Sequence, residues 1–150
     1  MKVTPGLMLL VLAIACGREK TPPPDTTPAA EPVSQSPNAA VTIVSPADGD
    51  TTGSDVTIML GKAGVVIEKA SGVRADGIGH HHLFIDTTAV ADGQVIPPTS
   101  SRVVHIGTGD STYTLKGLSA GAHEVVAVIG YGDHSAMIAR RDTVRFVVRR

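Results

Sequence analysis

From residue 39 onward, apolar and polar residues alternate in short runs cut by clusters of Gly, Pro, Asp and Ser. A two-residue period is a strand signature, because successive side chains of an extended chain point to opposite sides. Val41-Thr42-Ile43-Val44 alternates and stops at the turn cluster Ser45-Pro46-Ala47-Asp48-Gly49-Asp50. Asp55-Val56-Thr57-Ile58-Met59-Leu60 alternates again, with Val65-Val66-Ile67 its expected continuation after a glycine break. Further strands are predicted at 80–85, 102–106, 111–115, 123–129 and 143–148, while Pro97-Pro98 keeps the connection 87–100 out of any central strand. No segment after residue 38 shows a capped 3.6-residue period. The pattern therefore predicts an all-β domain, an antiparallel β-sandwich of about seven strands.

One predicted strand carries unusual chemistry: Gly79-His80-His81-His82-Leu83-Phe84-Ile85-Asp86 holds three of the six histidines. By alternation His80 and His82 share a face with Phe84, and His81 shares the other with Leu83 and Ile85, the expected core face. Two imidazoles on one strand face, with Cα atoms roughly 6.5–7 Å apart, can converge on one metal ion, or can be polar residues on a solvated face. Composition narrows the rest. Aromatics are 3% and Trp is absent, so a core drawn from 42% hydrophobic residues must be aliphatic. A net charge of −1 with no basic stripe argues against nucleic acid and against electrostatic docking to anionic membranes.

The N-terminus reads as an address. Lys2 precedes an apolar run at 7–14, then Ala15 and Cys16, the only cysteine. This resembles a bacterial lipobox, with Ala13 where Leu is commonest; the alternative is an ordinary secretory signal with an incidental cysteine. Residues 17–38 contain Pro22, Pro23, Pro24, Pro28, Pro32 and Pro37 among small polar residues and have almost nothing to bury. The expected organisation is a signal peptide at 1–15, a lipidated Cys16 with a disordered proline-rich tether at 16–38, and the sandwich at 39–150. The expected location is the cell envelope, lipid-anchored, on the periplasmic side of an outer membrane where the host has one, since Gly17 and not Asp follows the cysteine.

The run Leu118 to Val125, Leu-x-x-Gly-x-His-x-Val, resembles the corner before the sixth strand of immunoglobulin-like and fibronectin-like domains, with His123 where a tyrosine often stands. In that strand order the histidine triplet begins strand C. The strand ending at His105 runs back toward the same end, and strand F climbs to it, bringing the loop that carries Asp133, His134 and Met137. His123 falls at the opposite pole. Gly79-His80-His81-His82-Leu83 with Ile85-Asp86, then His105-Ile106-Gly107, then Gly132-Asp133-His134 is similar to an uncharacterised family of exported bacterial domains, a domain of unknown function with a Gly-His-His-His-Leu signature. The likeness spans about 41–148 and implies a small exported or periplasmic domain. This chain departs after Asp133-His134, where Ser135-Ala136-Met137 replaces the further histidine and proline usual in that pattern.

Imidazole suits Zn, Cu and Ni, so His80, His82, His105 and His134 are the expected metal ligands, with Cu or Zn the expected ion. His81, Asp86, Asp133 and Met137 are additional candidates; a thioether at Met137 would favour reduced copper. His123 is expected to hydrogen-bond upstream backbone and to serve structure. An enzyme is not expected: no Gly-x-Ser-x-Gly elbow and no paired carboxylates stand out, and the cysteine lies outside the domain. The function read from these residues is a cell-envelope lipoprotein whose histidine pole binds a transition metal for storage, sensing or delivery. The alternatives are a sandwich interaction module with structural histidines, meeting an envelope protein or cell-wall partner, and a histidine-metal hydrolase.

Overall fold

A computed structural model describes residues 38–150; the signal, Cys16 and almost all of the tether lie outside the described residues. Two sheets face each other. The smaller has the order β1-β3-β7, built from β1 (Ala40–Ser45), β3 (Val56–Ala63) and β7 (Thr112–Leu115). The larger runs β2-β9-β8-β5-β4, with β6 also on β5; its strands are β2 (Thr51–Thr52), β4 (Val66–Ile67), β5 (Ile78–Ile85), β6 (Val103–Ile106), β8 (Gly121–Gly130) and β9 (Asp142–Val148). With β1, β3 and β7 in one sheet and β9, β8, β5 and β6 in the other, this is the immunoglobulin/fibronectin-like strand order.

The seven predicted strands are present, and two two-residue strands add to them. One differs from expectation: Val66-Ile67 does not prolong β3 but crosses to the larger sheet and pairs parallel with Ile78-Gly79 of β5. The break at Gly64, with φ of 62° and the Asn38 backbone occupying the place a Cβ would take, lets the chain change sheets.

The alternation read from the sequence becomes an aliphatic core between the sheets. Val41, Ile58 and Leu60 from one side meet Leu83, Ile85, Val125, Ala127, Val144 and Phe146 from the other. The outward face of the larger sheet is solvated along β9, where Arg145 and Val147 are exposed, but covered over β5. Phe84 and Val128 are buried there with Ile96, Val103 and Ala136 in a second apolar cluster. The cover is the connection between β5 and β6 lying against the loop between β8 and β9. Ile96 N–H donates to the His134 carbonyl (2.8 Å), Ala136 N–H to Gln94 (2.8 Å) and Gly93 N–H to Ala136 (2.8 Å).

Candidate functional site

The covered face is where the histidines meet. β5 presents His80 and His82 on one side; β6 places His105 directly opposite His82 across the antiparallel ladder. The β8–β9 loop supplies His134, held in the left-handed region at φ 65°, a conformation uncommon outside glycine that the loop's backbone bonds maintain here. The ring centroids of His80 lie 4.7 Å from His82, 4.7 Å from His105 and 5.1 Å from His134. Those of His105 lie 4.9 Å from His82 and 4.7 Å from His134, and His82 and His134 are 5.8 Å apart. One potential ligand nitrogen from each of His80, His82 and His105 falls within 4.8 Å of the others. The Nε2 atoms of His80 and His82 are 2.8 Å apart, so one donates to the other in the neutral pair.

Burial makes the set unusual. His80 is 0% exposed and His82 1%, against the solvated-face alternative, because the two connections roof that side of the sheet. Among the described residues, Nδ1 of His80, Nδ1 of His82 and Nε2 of His105 are buried with no hydrogen-bond partner, as is Nε2 of His81 on the other face of β5. Buried polar atoms are ordinarily paired, and each orphan costs about 1–3 kcal/mol. Burial, and then the neighbouring imidazoles His105 and His134, pushes the His80 pKa down to about 4. The same causes, with His80 added, push His82 down to about 2. His105 is also lowered, by burial and then by His134. At neutral pH these three rings are therefore uncharged, the form that ligates metal.

A cleft of about 460 Å³ opens beside the rings, lined by His82, His105 and His134 together with residues 95–99 and Asp133. Asp133 accepts from Ser135 N–H (2.9 Å) and Oγ (2.6 Å), while Arg74 donates to Ser135 Oγ (3.2 Å) and stacks over the Tyr131 ring at 3.9 Å. Burial would raise the Asp133 pKa, but the Ser135 donors and the Arg74 charge outweigh it and lower it.

The other sequence candidates lie elsewhere. His81 faces the inter-sheet side, its Nδ1 donating to the Asp110 carbonyl at 3.1 Å. Burial lowers its pKa, against that hydrogen bond. Met137 packs in the inter-sheet core against Gly79, across the sheet from His80 and His82, which removes the soft ligand that would have favoured reduced copper. Asp86 ends β5 at the far pole, at φ 50°, accepting from His123 Nδ1 (2.7 Å) and Glu124 N–H (2.9 Å). Sequence reasoning missed the residues that make room for the rings. A Cβ on Gly130 would stand 2.8 Å from His82 Nε2, and one on Gly107 would stand 2.5 Å from the His105 ring. It missed the roof residue Ile96 and the Arg74–Ser135 brace as well.

Residues 58–149 match the family described as Domain of unknown function (DUF4399). The chain belongs to this family. The matched span runs from β3 into the end of the chain and contains all four clustered histidines. No curated protein matches the chain. Among solved structures it is similar to the fibronectin(III)-like modules of Clostridium thermocellum CbhA, at 13% identity, over 73% of this chain and 95% of that one, with a TM-score of 0.40.

His123 behaves as a corner residue. Its Nε2 faces the Ser119 carbonyl at 2.9 Å and its Nδ1 the Asp86 carboxylate at 2.7 Å, two acceptors that together favour the doubly protonated ring. Burial opposes that charge, but the Ser119 carbonyl and the Asp86 carboxylate outweigh it and raise the pKa. A raised histidine pKa stabilises the fold fully below the unfolded value, about 6.5, and the gain is lost as pH rises through the folded value. His123→Ala is expected to cost about 1–2 kcal/mol at pH 6, discounted because Asp86 is 41% exposed, and less at pH 9. Denaturant titrations at the two pH values check this; an equal cost at both would show that the ring contributes packing alone.

Proposed function

We propose that this domain holds one transition metal ion, Zn or Cu, on His80, His82 and His105, with His134 as a fourth ligand from its loop. The observation that carries the reading is four imidazoles brought from three elements to ring separations of 4.7–5.8 Å, three of them with an orphaned buried nitrogen. Zn–N bonds of about 2.0–2.1 Å need ligand nitrogens only about 3–3.5 Å apart, which small ring rotations supply. An all-imidazole set without a thioether favours Zn(II) or Cu(II) over Cu(I). We read the site as one for holding an ion in storage, sensing or delivery rather than for a reaction. Elemental analysis of the chain purified without an affinity tag tests it: about one Zn or Cu per chain is expected, and none after exposure to both ions at neutral pH would leave the interaction-module reading in its place.

The same proposal places the domain on a lipid-anchored tether in the cell envelope, a reading supported by the apolar run before Ala15-Cys16 and the prolines behind it. Cys16→Ser is expected to leave the precursor unprocessed or move the protein out of the detergent phase; unchanged partitioning would remove the anchor.

A further inference from the structure

Three of the clustered histidines line an open cleft, and the rest of its lining has a composition of its own. Val95, Ile96, Pro97 and Pro98 give it an apolar surface on the same cleft as His82, His105 and His134. The backbone of 95–96 is tied to the β8–β9 loop through the Val95–Ser135 bridge and the Ile96–His134 hydrogen bond. The two prolines restrict their own backbone further, so the wall is preorganised. The volume, about 460 Å³, lies within the usual range for small-molecule sites. The rings are graded in position: His80, His82 and His105 bring nitrogens within 4.8 Å of one another, whereas His134 stands on the loop with its ring 5.8 Å from His82. An ion held by the first three borders the cleft at the position His134 can occupy or yield. Asp133 on the lining places a carboxylate there, which disfavours an anionic ligand.

We infer that the ion keeps one exchangeable position toward this cleft and takes there a neutral aromatic nitrogen heterocycle, an imidazole-type small molecule whose ring body lies against Val95, Ile96 and the two prolines. The inference rests on the metal reading above and adds the class of exogenous ligand. Coordination supplies one directional bond and the apolar wall supplies burial, so affinity should rise with the apolar area of the heterocycle. No covalent or redox step is involved.

The test uses the full chain, purified without an affinity tag and loaded with Co(II), whose visible bands report a change of ligand. Imidazole, benzimidazole and acetate are titrated separately. Saturable spectral changes are expected with both heterocycles, benzimidazole binding at least about tenfold more tightly for its extra buried ring, and none with acetate over the same range. Val95→Ser, at a residue 71% exposed, removes apolar area without adding a charge and is expected to cut that tenfold preference by at least half while leaving Co(II) affinity unchanged. Uptake of Co(II) without response to either heterocycle, equal affinity for the two, acetate binding as tightly as imidazole, or an undiminished preference in Val95→Ser would each overturn this inference and leave the metal site standing. Failure to take up Co(II) at all would overturn both.

Discussion

If the domain holds a metal ion as proposed, replacing His80 and His82 together by alanine should abolish metal uptake and, with it, the stabilisation that the ion would supply. These two rings are 0% and 1% exposed and share the 2.8 Å contact at the centre of the cluster, so their loss leaves only His105 and the loop residue His134. Two imidazoles on separate elements, without the rigid strand pair, cannot complete a site that needs three or four ligands. A ligand present at about a thousand times its Kd stabilises the native state by about 4 kcal/mol. Wild-type protein should therefore melt about 10 °C or more higher with saturating Zn(II) than in chelator, and the double variant should show the chelator value in both conditions. The apo fold should survive the change. The lost packing is offset by removal of two orphaned Nδ1 atoms, each a cost in the unliganded protein. Thermal melts with and without Zn(II), alongside calorimetric titration, decide it. Retained uptake in the double variant would move the site away from β5.

The second large effect comes from two glycines that look alike in sequence and differ in what surrounds them. Gly79→Ala would put a Cβ 2.7 Å from the Gly130 carbonyl oxygen and 2.7 Å from Ile129 Cγ2. The carbonyl belongs to the paired strand β8 and cannot swing aside, so the ladder itself must shift. Overpacking of this kind costs about 1–3 kcal/mol, and the upper end is expected here, a fall in Tm of roughly 10 °C. Gly130→Ala instead meets His82 Nε2 at 2.8 Å and Ile96 Cδ1 at 3.1 Å, both near the ends of side chains. The ring can turn, so Tm should fall only a few degrees while the turned imidazole loses its place in the cluster. Metal affinity should drop about 10- to 100-fold, as for other changes that misorient a ligand. Melting and metal titration on the same two variants separate the outcomes. Equal loss of stability in both would show that Gly130 shapes the sheet and not the site.

The strand content of this domain was legible because a two-residue period carries its own geometric meaning. Val41 to Val44, Val56 to Leu60 and Thr143 to Val148 alternate, and each became a strand with one buried side. Val66-Ile67 was misassigned for the same reason: two residues carry too little periodicity to say which sheet they join. The histidine alternation was equally legible, with His81 on the core side and His80 with His82 on the other, and direction counting brought His105 and His134 to their end of the sandwich. Met137 was not placed correctly, because the β8–β9 loop has no period from which to read the direction of a side chain.

The chain order and the backbone period together determined the sandwich, the face shared by His80 and His82, and the strand directions that gather four histidines at one end. Only the tertiary structure decided that this face is roofed and His80 and His82 buried, that Gly130 and Gly107 leave space for the rings, that Arg74 braces the loop bearing His134, and that Asp86 serves His123 at the far pole. The physical reason is that alternation is local, set within one strand by the covalent geometry of the chain. Cover, clearance and hydrogen-bond pairing depend on how the 87–100 connection and the β8–β9 loop fold over the sheet, and those segments carry no period of their own.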